Sequence, residues 1–256
     1  MRAILLIARK DFKLIVTSPL FCFVAALCTV VWSLMYLSFL RQFAAQGLMA
    51  NMQGGGAAAQ SLMNSVFVQH ISVVNLVLIF TLPAITMRLI AEEKKMRSYD
   101  LLLTSPISST DIAVGKFLAG LGAATALLLI SFIYPAGTSL IAKFHWPTLI
   151  ILYFGIFLIT ALYAAAGLFA SSLTDSAMLA VFMAVVFNLM IWFVGQSGAG
   201  SDVKWWATLS EYISVGNHLS NFLKGTLRVS SIVFFTSAVG FFVFLCQRVI
   251  ESARWR

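Results

Sequence analysis

Charge is the scarcest property of this sequence. Only 10% of its 256 residues are Asp, Glu, Lys or Arg, whereas 61% are hydrophobic and the mean hydropathy is +0.95. A soluble domain of this length needs far more charged surface, so the composition excludes one and points to a membrane protein. Cysteine is nearly as rare. Cys22, Cys28 and Cys246 all fall inside apolar runs and make no CxxC pair or zinc spacing, so they read as small packing residues. No HExxH or GxSxG motif is present. The three histidines, His70, His145 and His218, are scattered over outer span edges and outer loops, which favours independent loop residues over a shared metal site. A phosphate-binding loop is missing too: Phe117 follows Gly115-Lys116 where Ser or Thr is required, and Thr110 stands where the earlier glycine should be.

What is there is long apolar runs. A helix needs about twenty apolar residues to cross the hydrocarbon core, and six stretches qualify: 20–40, 71–91, 117–141, 149–170, 176–196 and 229–247. Backbone donors in lipid need internal partners, so the runs must be helices, and no short alternating segments of a β-barrel are seen. The fold class expected is an all-α integral membrane protein with six transmembrane helices. A cleaved secretory signal is not expected, because Arg9, Lys10, Asp11 and Lys13 interrupt the first apolar segment and no small-residue cleavage site follows.

With six spans both termini fall on one side. That side receives twelve Lys and Arg (Arg2, Arg9, Lys10, Lys13, Arg88, Lys94, Lys95, Arg97, Lys116, Arg248, Arg254 and Arg256), against five on the other (Arg41, Lys143, Lys204, Lys224 and Arg228). The positive-inside rule then predicts cytoplasmic termini and a cytoplasmic 92–116 loop. The net charge of +8 is thus explained by topology and anionic lipid, and nucleic acid is not an expected partner. Before Pro19, Arg2, Arg9 and Lys13 share one helical stripe while Ile4, Ala8, Phe12 and Ile15 share another. This pattern predicts an amphipathic helix in the interface, ended by Pro19, against the alternative of a plain extension of span 1.

The span interiors hold no ionisable residue away from their ends, which weighs against ion-coupled carriers and voltage sensors. Small residues at four-residue spacing (Gly115/Ala119/Ala123, Ala161/Ala165, Ala180/Ala184) permit close helix packing, and Asn75 and Asn188 suit interhelical hydrogen bonds. On the outer side, the Arg41–His70 loop with its Gly54-Gly55-Gly56 run reads as flexible. The last loop, 197–228, carries Trp205, Trp206 and Phe222, as a headgroup-level belt or a partly inserted helix would.

The most informative segment is the connection between spans 2 and 3. Glu92, Glu93, Lys94, Lys95 and Arg97 make a solvated turn, residues 98–103 make a short amphipathic helix that Pro106 ends, and Ser109 to Asp111 offer a cap for the next helix. Such an element sits where a cytoplasmic partner would push, although a passive solvated loop satisfies the same pattern.

Pro83, Met87, Arg88, Ala91, Glu92, Glu93, Leu101, Leu102, Leu103, Thr104, Ser105, Pro106, Gly115 and Lys116 resemble the cytoplasmic loop of ABC-2-type ABC transporter permeases, in particular the gliding-motility-associated (GldF-like) permeases. The sequence departs from them at Ser98-Tyr99, where Gly-Thr is expected, and at Asp100, where Glu is expected. Arg9-Lys-Asp-Phe with Ser18-Pro19, the stretch 167–174, His218 with 222–225, and the Arg-Trp-Arg terminus are similar to other parts of the same family, in order.

The resemblance implies one transmembrane domain over 1–256, in a bacterial cytoplasmic membrane, as the permease subunit of an ATP-driven exporter. It implies two cytoplasmic ABC ATPase subunits that bind the ATP and Mg, no cofactor in this chain and no enzyme activity of its own. It implies a second permease copy, most simply a homodimer, and an accessory membrane protein with a large extracytoplasmic domain. Glu92, Glu93, Arg97, Asp100, Leu101, Leu102, Thr104 and Pro106 would form the coupling element, and Arg2, Arg9 and Lys13 the headgroup-facing stripe of the interfacial helix. A subunit that transmits ATP-driven motion to an extracytoplasmic motility or envelope-assembly partner, without transport, shares all of these features.

Overall fold

Helix ends in this chain are set by breakers and caps, and not by where the apolar runs stop. The computed structural model describes residues 2–52, 62–96, 99, 107–194 and 204–254. Among these residues there is no strand. The helices are α1 (Arg2–Val16), α2 (Pro19–Met52), α3 (Val68–Lys95, preceded by a π-helical turn at Met63–Phe67), α4 (Ser109–Thr138), α5 (Trp146–Leu173), α6 (Ala177–Val194), α7 (Lys204–Ile213), α8 (Val215–Leu223) and α9 (Val229–Ala253). The helices α2, α3, α4, α5, α6 and α9 are long and apolar enough to cross a membrane. The protein is therefore an all-helical, multi-pass membrane protein.

Each of the six predicted runs lies within or largely along one of these helices, but most helices overrun them. The largest overrun is α2, which continues from residue 40 to Met52 with Arg41, Gln42 and Gln46 exposed. Its 34 residues at 1.5 Å each make about 51 Å, well beyond a hydrocarbon core of about 30 Å. The Gly54–Gly56 run lies outside the described residues. At the other end, α4 starts at Ser109, two turns before the predicted span, because Ser108 caps it by accepting from the Asp111 N–H at 3.1 Å. The cap is thus Ser108, one residue earlier than the Ser109 expected. The break before Pro19 is as predicted. Ser18 Oγ accepts from the Phe21 N–H at 3.2 Å and donates to the Ile15 carbonyl at 2.7 Å, closing α1 and opening α2 in one residue.

Helix α5 is the axis of the bundle, with 67% of its apolar window buried, against 22% for α2 and 17% for α6 and α9. The small residues expected to permit packing do so: Gly115, Ala119, Ala123, Ala161, Ala165, Ala180 and Ala184 are all buried. Cys28 and Cys246 are buried as expected, but Cys22 is exposed near the start of α2 and packs nothing. The described part of the last loop forms two short helices, of which the second packs into the bundle. In α8, Val215, Leu219 and Phe222 are buried, and Phe222 lies against the Cα of Gly155 in α5, where any Cβ would meet its own Cβ at 2.5 Å. Trp205 in α7 remains 68% exposed.

The seam between α3 and α5 explains two polar side chains. Pro83 has no N–H, so the Ile79 carbonyl one turn earlier loses its helical partner. Asn188 of α6 supplies the missing donor, its Nδ2 reaching Ile79 O at 3.2 Å. One turn further on, Ser171 of α5 inserts into the α3 ladder. Its Oγ accepts from the Ala91 N–H at 2.9 Å and the Ile90 N–H at 3.3 Å and donates to Met87 O at 3.1 Å. Asn75 is also buried, but no described hydrogen bond reaches its Oδ1.

Asn188→Leu is therefore expected to destabilise the fold by about 0.6–1.7 kcal/mol, the range of interhelical hydrogen bonds in membrane bundles. In a Pro83→Ala background, which restores the backbone donor, the cost should largely vanish. Thermal unfolding in detergent of the four proteins of this cycle measures the coupling, and equal costs in both backgrounds would refute the assignment.

Candidate functional site

Lys116 sits two turns into α4 with only 1% of its side chain exposed. The topological reading treated it as a loop-side cation. The structure instead buries it among three elements. Its Nζ lies 2.6 Å from the Glu93 Oε2 and donates to the Leu89 carbonyl at 2.6 Å, both in α3, and reaches the Asp11 Oδ2 in α1 at 3.1 Å. Lys10 adds a longer pair to the other Asp11 oxygen at 3.9 Å. Two cations and two carboxylates thus balance. Close approach of α1 is permitted by Gly115, where a Cβ would lie 2.9 Å from the Ile7 Cγ2.

Further charges gather at the same end of the bundle, near the C-terminal end of α3. Arg88 and Glu92 pair along α3 at 2.7 Å. Lys94 caps the C-terminus of α5, donating to Ser172 O at 2.8 Å, pairs with Asp175 at 3.4 Å, and stands over the ring of the buried Tyr99. Where the chain returns, Arg254 of α9 donates to the Ile107 carbonyl, and Gln247 of α9 donates to Ser109 Oγ at 3.3 Å. Both ends of the connection are therefore tied to the helices, the outgoing end to α1, α4 and α5, and the returning end to α9. A cleft of about 330 Å³ opens beside it, lined by Lys10, Asp11, Arg88, Glu92, Glu93 and Met96 among others.

Of the residues singled out in the connection, Glu92 and Glu93 diverge. Glu92 is 37% exposed, whereas Glu93 turns inward to Lys116. Arg97, Asp100, Leu101, Leu102, Thr104 and Pro106, and with them the expected 98–103 helix, lie outside the described residues. In α1, Arg9 and Lys13 are exposed on one stripe as expected, while the Arg2 side chain lies outside the described residues. The predicted apolar stripe is only partly right: Ile15 is buried, but Phe12 is exposed and the buried face is centred on Asp11.

Sequence reasoning missed the burial of Asp11 and Lys116, and it also misplaced His70. That residue is wholly buried between α3 and α4, its Nε2 at 3.1 Å from Ser131 Oγ, with the rings of Tyr36 and Tyr134 about it. His218 stacks on Phe234 at 4.4 Å and pairs with Ser231, and His145 is exposed at the start of α5. The histidines are thus separate, and no cluster able to hold a metal occurs among the described residues.

Residues 5–245 match the family described as ABC-2 family transporter protein. A search of curated proteins found no match.

Removing one partner of a buried ion pair strands the others, at about 3–5 kcal/mol. Lys116→Met should cost this much and expose α1 to trypsin at Arg9 and Lys13. The triple change Lys116→Met, Asp11→Asn, Glu93→Gln, which leaves no net buried charge, should recover most of the loss. Thermal unfolding and limited proteolysis read both effects, and wild-type stability of Lys116→Met would remove the clamp from the description.

Proposed function

The chain belongs to the ABC-2 family of transporter proteins, and from that premise we propose that it is the permease subunit through which separate ATPase subunits drive export across a bacterial cytoplasmic membrane. The family is a membrane transport component and not itself catalytic. ATP and Mg are accordingly assigned to two cytoplasmic ABC ATPases, and the membrane unit to a pair of copies of this chain. The residues at the 83–116 connection further support the gliding-motility-associated (GldF-like) branch, with an accessory membrane protein on the outer side.

The observation that carries this reading is the anchoring of both ends of the 97–106 connection at the charged end of the bundle. A push delivered there by closing ATPases has rigid paths out. Glu93 and Lys116 pass it to α3, α4 and α1, Lys94 passes it to α5, and Arg254 passes it to α9. Glu92, the more exposed of the two carboxylates, is assigned to meet basic groups of the ATPase, together with Arg97, Asp100, Leu101, Leu102, Thr104 and Pro106. Helix α1 is assigned to the cytoplasmic interface, with Arg2, Arg9 and Lys13 toward headgroups.

Leu102→Pro tests the coupling. Proline inside a short helix costs about 3 kcal/mol or more, so ATP-driven transport by the reconstituted complex should fall sharply while co-purification with the ATPase persists. Normal assembly with normal coupled activity would reduce the connection to a passive loop. Orientation has its own test. A membrane-impermeant thiol label should reach single cysteines at residues 55 and 200 in intact cells and reach one at residue 256 only after lysis, and the opposite pattern would invert the assignment.

A further inference from the structure

The second flank of α1 is not used by the ion cluster. Phe12 of α1 forms one wall of an open apolar groove of about 460 Å³ that runs along α4, past Leu118, Gly122, Thr125 and Leu129, with Phe157 of α5 on its far wall. Gly122 forms the floor, since a Cβ there would meet the Phe12 ring at 2.9 Å. Leu118 to Leu129 spans about 16 Å at the helical rise, close to half of the hydrocarbon thickness of about 30 Å. The groove therefore has the length of one leaflet. The flank of α1 beyond Phe12 carries charge of one sign: at about 100° per residue Arg9 lies about 60° and Lys13 about 100° round the helix from Phe12, both are exposed, and among the described residues no carboxylate pairs with either.

We propose that this groove and the Arg9/Lys13 stripe form a binding site for an anionic phospholipid. The phosphate lies on the two cations, and one acyl chain lies in the groove between Phe12 and Leu129. The charge complementarity sets the headgroup, because a zwitterionic lipid leaves the two cations without net compensation. The length of the groove suits the tail, because it is close to the thickness of one leaflet of hydrocarbon. Such a lipid holds α1 from its outer flank while the Asp11–Lys116 pair holds it from the inner one.

The test is native mass spectrometry of the full chain in detergent, titrated with palmitoyl-oleoyl phosphatidylglycerol or the corresponding phosphatidylcholine. Wild-type protein should bind the first phosphatidylglycerol about thirtyfold more tightly than phosphatidylcholine, the share expected from two basic residues at an anionic headgroup. The Arg9→Gln/Lys13→Gln variant should lose this preference. Thr125→Phe, which narrows the groove one turn away from the Phe12 contact, should weaken phosphatidylglycerol by roughly fivefold or more. Leu129→Asn, at an exposed position where folding is not at stake, should weaken it in the same direction. Equal binding of the two lipids by wild type, or a preference that survives loss of both cations, overturns the site. Unchanged binding by the groove variants also overturns it, by reducing the effect to surface attraction alone. Efficient disulfide cross-linking between copies through Leu129→Cys, in a Cys22→Ser background, would assign the groove to a second copy of the chain and overturn it as well.

Discussion

Among the described residues the ammonium of Lys116 is the most deeply buried charge, and the arrangement of α1, α3 and α4 follows from it. Burying an ion costs several kcal/mol even after relaxation, and attraction to partners offsets this only with good geometry. Here the geometry comes from three segments far apart in sequence: Asp11, the Leu89–Glu93 turn and Lys116 itself. None of them can leave alone without stranding charge in an apolar surrounding. Helix α1 has Leu5, Leu6 and Leu14 all more than half exposed but rests on α4 through Ile7 and Phe12. The ion cluster ties it to α3 as well.

A second constraint acts on α3. Its hydrogen-bond ladder is interrupted at Pro83 and shared with Ser171 from Met87 to Ala91. The part of α3 that carries Arg88 to Lys95 is thus bonded to α5 as well as to its own preceding turns. Thr86 presses on the bare Cα of Gly167 one turn away, so no side chain separates the two helices there. Motion at the charged end is then transmitted to α5, the axis of the bundle, and also directly to α6, whose Asn188 donates to the Ile79 carbonyl of α3.

The six spans were legible because lipid imposes one rule on every residue of a run, and a run of twenty leaves no alternative to a helix. The break at Pro19 was legible for a similar reason, since it depends on a local covalent fact. The buried charges were not. A lysine near the end of an apolar run looks the same whether it faces water or a carboxylate, and Asp11 lies 105 residues away from its partner. His70 was misread because the span was started at residue 71, whereas the helical segment begins earlier, at the Met63–Phe67 turn. Insertion of α8 did leave a signal, in the helical spacing of Val215, Leu219 and Phe222, which the aromatic content of the loop obscured. For Arg97 to Pro106, the stretch assigned to coupling, the pattern rests on resemblance more than on apolar period.

The two flanks of α1 answer to different physics, and this separates their roles. The Asp11–Lys116 pair is buried, so mobile ions screen it little, whereas Arg9 and Lys13 face solvent or headgroups, where a Debye length of about 8 Å at physiological ionic strength governs their reach. Raising salt therefore weakens the attraction of α1 to an anionic surface while leaving its attachment to α3 and α4 in place. Helix α1 is in this sense packed into the bundle on one side and open, with exposed Arg9 and Lys13, on the other. Movement of α4 carries α1 with it, because Gly115, Lys116 and Gly122 of α4 are the positions on which it rests.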